Sequence, residues 1–174
     1  MSTTRLARAA TTHDGMAGAI DMLHRAEGQL AHALIDLSDR HASDHEIHHV
    51  ARDLAGWSRE HVRRLADLGH SHGLDLDPEP AHEVAWAGAL KQAGAELLGR
   101  RHAPIGMLLA DLRNLHQKAA GVSLDWEILA QGAQATEDAE LLALASECHP
   151  QTLRQLRWTN THVKELAAQA LTST

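Results

Sequence analysis

Aromatic residues are nearly missing from this chain: it has four Trp and neither Phe nor Tyr. Strands favour aromatic and β-branched side chains, so a core left to Leu and Ala, with Ile, Val and Met as fillers, predicts helices. The lack of Tyr also removes redox-active phenols. Cysteine is limited to Cys148, which excludes a disulfide framework and predicts a reducing, cytoplasmic setting. No stretch approaches the roughly 20 apolar residues of a membrane span. The first ten residues carry Arg5 and Arg8 but no apolar run, so a signal peptide is not expected. A net charge of -7, with acidic and basic residues interspersed, leaves no basic face for nucleic acid. Walker loops, dinucleotide fingerprints, nucleophile elbows and CxxC pairs are also missing, which removes the common nucleotide-dependent and hydrolytic classes.

What the chain does have is histidine, 15 in 174 residues, and an internal repeat. Histidine at this level points to metal chemistry, pH-dependent surface chemistry, or a tolerant polar helix face. In the repeat, the ten residues from Trp57 to Ala66 return from Trp158 to Ala167, with Trp, His, Val, Leu and Ala identical. A glutamate precedes each copy at nearly the same distance: Glu27 lies 34 residues before His61, and Glu127 lies 35 before His162. A helical hairpin used twice is how ferritin-like bundles are assembled, and Glu and His are the residues such bundles aim at metal.

The local signals divide the chain into helices. Residues 1–11 read as a flexible tail, and 12–172 as one domain. Thr12 can cap a first helix to about Arg40, with Ile20, Leu23, Leu30, Leu34 and Leu37 on one stripe. Ser43-Asp44-His45-Glu46 reads as a capping box with Ser43 at its head, opening a second helix that closes at Gly73. Residues 74–80, with Pro78 and Pro80, read as a crossover linker, followed by a shorter helix over about 81–99. Pro104 is placed to start a long helix to about Ala135, with a bend at Gly121. Thr136-Glu137-Asp138 reads as the start of a last helix to about Leu171, kinked or restarted at Pro150. The result is an all-α four-helix bundle, two antiparallel hairpins with an additional crossover helix.

Several short stretches resemble the YciF-like family of ferritin-like proteins. Ala26-Glu27-Gly28-Gln29-Leu30 resembles its first helix, Ser58 to Leu65 the end of its second, Trp126-Glu127-Ile128 its third, and Thr152-Leu153 with Glu165-Leu166-Ala167 its fourth. The resemblance spans roughly residues 14–171 as scattered positions. It implies a stress-associated bundle in which each hairpin supplies a glutamate and a His/Glu or Glu/Asp set to two iron ions. Glu27 and Glu127 match that pattern. The other ligand positions fall on about Leu54, Trp57, Gln155, Leu156 and Asn160, which cannot coordinate iron or do so weakly. The implied di-iron site is therefore degenerate.

Two readings of the remaining His and Glu residues follow. Hairpin geometry sets His24 level with His61, and pseudo-symmetry adds His162. With Glu27 and Glu127 one turn away, they could form a displaced site for one or two Fe, Mn or Zn ions. Alternatively, His61–Glu27 and His162–Glu127 are buried hydrogen-bonded pairs without metal. Trp57 and Trp158 read as filler for the volume a cluster would occupy, or as an electron relay or a cofactor wall. His41, His45, His48 and His49 gather at the turn between the first and second helices, and His41, His45 and His49 form a second possible metal cluster at the surface. His70 and His72 read as helix-end cations, and Cys148-His149 as an incidental neighbour pair.

The expected function is a non-catalytic binding or scaffold protein with a degenerate di-iron site, forming a homodimer and binding neither nucleic acid nor membrane. The alternative is a metalloprotein with the displaced site, handling metal, oxygen or peroxide. A third class, a small-molecule pocket, would show as a cavity near Trp57 and Trp158.

Overall fold

A computed structural model describes residues 2–79 and 104–172, with side chains placed over 15–79 and 105–172. Four long helices account for most of it: α1 Ser2–Arg40, α2 His45–Gly69, α3 Pro104–Ala135 and α4 Ala139–Thr172. A 3-10 turn, His70–His72, extends α2. No strand occurs among the described residues.

The helix ends follow local chemistry, with three departures from expectation. First, α1 begins at Ser2 rather than Thr12. The first eleven residues contain neither Gly nor Pro, and Leu6, Arg8, Ala7, Ala9 and Ala10 are good helix formers, so nothing stops propagation toward the terminus. Second, the cap of α2 is Asp44 rather than Ser43: its Oδ1 accepts the Ile47 N–H at 3.1 Å. Third, α4 runs through Pro150 without a break. The expected helix over 81–99 lies outside the described residues. Gly73 does close the extension of α2, at φ 74, with its N–H donated to His70 O. Between α3 and α4 the turn places Glu137 in the left-handed region, and Asp138 caps α4 by accepting the Leu141 N–H at 3.0 Å.

Contacts between helices fix their directions. α1 pairs with α2 through the short turn and runs antiparallel to α3, since Gly132 lies against Met16 and Asp111 against His41. α4 pairs with α3 and runs antiparallel to α2: Gln155 meets Leu54 and Ser58, Arg64 meets Glu147, and His162 meets Glu46. The order is thus up, down, down, up. His72 meets Asp138 at 3.1 Å, so α2 and α3 end at the same end of the bundle. The chain between Gly73 and Pro104 therefore links opposite ends.

The core is the Leu- and Ala-rich interior that the composition predicts. Ile20, Leu23, Leu30, Leu34 and Leu37 face Ile47, Leu65, Leu112, Leu129 and Leu141, all fully buried. Each such side chain contributes about 1.5–3 kcal/mol on leaving water. Among the described residues Trp126 is the one fully enclosed tryptophan, whereas Trp57 and Trp158 are partly buried at the rim of the core. No helix among the described residues is long and apolar enough to cross a membrane.

Candidate functional site

A carboxylate stands in the middle of this apolar interior. Glu27 on α1 is fully buried, and its Oε1 accepts three hydrogen bonds, one from each other helix. His61 Nδ1 on α2 donates at 2.8 Å, Trp126 Nε1 on α3 at 2.7 Å, and Thr152 Oγ1 on α4 at 3.3 Å. Three donors on one oxygen are the surroundings of an ionised acid, because burying a carboxylate is tolerable only when it is paired and hydrogen-bonded.

His61 is the counter-charge. Its Nδ1 faces Glu27 and its Nε2 faces Gln151 Oε1 at 2.9 Å. With the Gln151 amide oxygen turned to the ring, both partners are acceptors, the arrangement of an imidazolium with hydrogen on both nitrogens. Burial alone would pull its pKa down. Contact with Cys148 and the bond and charge of Glu27 outweigh burial and raise it to about 10. The ring also stands edge-on to Trp126, with centroids 5.5 Å apart. Below it, Arg64 Nη1 lies 3.5 Å from the buried Cys148 Sγ, while Nη2 pairs with Glu147 at 2.5 Å.

One turn along α4, Gln155 is also buried and donates to Leu54 O and to Ser58 Oγ, each at 3.0 Å. Polar residues from all four helices therefore cross-link the bundle at mid-height. Two acceptors in this region have no partner, Glu27 Oε2 and Gln155 Oε1.

The structure brings Glu27 and His61 together and leaves the other three candidates apart. His24 is buried, but its Nε2 bonds Asp77 O at 2.9 Å, tying the segment after α2 to α1. The Glu127 side chain is 60% exposed and lies 3.9 Å from His149 Nε2. His162 sits near the far end of the bundle, 3.5 Å from Glu46 and 3.4 Å from Glu165, and does not meet Glu127. In the surface cluster, His41 turns away to Asp111 at 2.9 Å. His48 Nδ1 turns to Ser38, whereas His45 and His49 stay together, with ring centroids 5.6 Å apart. Among the described residues no group of three or more His, Cys, Asp or Glu side chains is arranged to hold a metal.

The donor set at mid-bundle does not fit a di-iron centre. The third helix offers Glu27 an indole N–H instead of a second carboxylate, and both nitrogens of His61 are spent on protein acceptors. Sequence reasoning missed Trp126, although the stripe of α3 holds the signal. Leu112, Leu115, Ala119, Val122, Trp126, Leu129 and Ala133 alternate steps of three and four, which puts Trp126 inside and Glu127 outside. Comparison with protein-family models, curated proteins and solved structures gives no match.

Proposed function

We propose that this chain is a divergent ferritin-like bundle of the YciF-like type whose centre is a hydrogen-bonded Glu–His–Trp cross-link, and that it acts as a non-catalytic, stress-associated binding or scaffold protein. The observation that supports this most is the saturation of Glu27 Oε1 by donors from three helices. A carboxylate oxygen held this way ties three helices to the first, and the bonds that stabilise its charge weaken it as a base. The up-down-down-up helix order supports the ferritin-like reading, because it needs a connection along the bundle, where a crossover helix would lie. A homodimer belongs to the same proposal.

A second reading has its own support in Glu27 Oε2, a buried acceptor without a partner. A cation there, with Fe, Mn or Zn as candidates, would make the chain a metalloprotein. Metal analysis of protein purified without a His-tag or nickel column separates the two. The binding-protein reading expects well under one equivalent per chain and an unchanged helical signal in EDTA. One or two equivalents of Fe, Mn or Zn, lost in Glu27→Gln, would overturn it. Light scattering tests the dimer.

A further inference from the structure

Away from the mid-bundle site, the chain has a second cluster of unspent polar groups. Near the end of the bundle where α1 turns into α2, a cleft of about 380 Å³ opens between the start of α2 and the second half of α4. Arg154, Arg157, Trp158 and His162 line it, with Glu46 and Glu165 on its rim. The volume is that of a small-molecule site.

The cleft's charged groups differ in whether they have a partner. His162 stands between the two carboxylates, Nε2 at 3.5 Å from Glu46 and Nδ1 at 3.4 Å from Glu165. The same imidazole stands edge-on to the Trp158 indole, with centroids 4.9 Å apart. The guanidinium groups of Arg154 and Arg157 have no ion pair or hydrogen bond among the described residues. Trp158 Nε1 is buried and unpartnered, and it is the only such donor among the described residues. A buried N–H without an acceptor is destabilising, so it marks a place where an acceptor is missing. Two unpaired guanidinium groups beside a half-buried indole describe a ligand that accepts hydrogen bonds, carries negative charge and has a flat or apolar body. Arginine forks match the planar oxygens of carboxylates and phosphates.

We propose that this cleft binds a small molecule bearing an oxyanion, a carboxylate or a phosphate, held by Arg154 and Arg157 with its body against Trp158. The inference gives the binding-protein reading a ligand class, yet it does not depend on whether the bundle centre holds metal. Metal analysis and ligand titration therefore fail separately.

The test is a titration of the full chain followed by NMR of the Trp158 indole N–H, assigned from the signal lost in Trp158→Phe. Inorganic phosphate and benzoate are the probes, and benzylammonium is the control of opposite charge. We expect a saturable shift with at least one anion and none with the cation. A shift with benzoate alone assigns carboxylate, and one with phosphate alone assigns phosphate. The double variant Arg154→Gln/Arg157→Gln changes two exposed side chains and should fold normally by circular dichroism. It should weaken binding at least tenfold. No saturable shift with either anion, equal binding by the double variant, or equal binding of benzylammonium would overturn the proposal.

Discussion

Replacing Glu27 by Leu tests whether the buried cross-link stabilises the bundle. The substitution removes the acceptor of three hydrogen bonds and leaves the His61 imidazolium without its counter-ion. Removing one partner of a buried ion pair costs about 3–5 kcal/mol. Each buried donor left unmade adds about 1–3 kcal/mol, here Trp126 Nε1 and Thr152 Oγ1. These costs do not add in full, since His61 sheds its proton once the carboxylate is gone. We therefore expect a loss of about 3–5 kcal/mol for Glu27→Leu. Glu27→Gln keeps the volume and one acceptor oxygen but loses the charge, and should cost about 1–2 kcal/mol. The double variant Glu27→Leu/His61→Leu should cost less than the sum of its single variants, with a coupling on the order of 2 kcal/mol. Urea unfolding reads all four, with midpoints compared at a common slope. The pH profile adds a second readout. His61 titrates near 10 in the folded chain and near 6.5 in the unfolded one, so its contribution is complete below pH 6.5 and is lost as pH rises through about 10. In Glu27→Gln that alkaline loss should move to lower pH. A Glu27→Leu variant within about 0.5 kcal/mol of the parent, or strictly additive single variants, would refute the reasoning.

Pro150→Ala should raise stability by about 1–3 kcal/mol, because it restores a backbone donor inside α4 at an exposed position. Thermal unfolding checks it, and a lower midpoint would show that the proline is needed for packing. His24→Ala should release the segment after α2 by removing the bond to Asp77 O, at a cost of about 1 kcal/mol. Amide exchange at Leu74 and Leu76 should quicken while exchange in α2 stays unchanged.

Much of the fold was legible because helix ends carry short-range signals: Asp138 and Gly73 punctuate the chain by their own chemistry. The neighbouring cap was misplaced by one residue, since Ser43 and Asp44 both suit the position and only Asp44 reaches the Ile47 N–H. The Glu27–His61 contact was legible for the same local reason, as a short turn fixes the register of the first hairpin. The second hairpin misled because the repeat is out of phase with its turn. His61 lies 17 residues past the cap Asp44, whereas His162 lies 24 past Asp138, two helical turns or about 10 Å further along. The residue 17 past Asp138 is Gln155, which is buried and cross-links to α2. A repeat measured against itself gave the architecture; measured against its caps, it would also have given the layer. The contributions of Cys148 and Gln151 to His61 arise between distant helices, and no sequence period carries them.

The central claim is that mid-bundle charge is a protonated His61 bonded to Glu27 and Gln151. Nitrogen NMR of the His61 ring at about pH 8.5, between its unfolded and folded values, tests it most directly. The account predicts hydrogen on both Nδ1 and Nε2 at a pH where an unperturbed histidine is neutral. A neutral ring, or a ring nitrogen bound to metal, would contradict it.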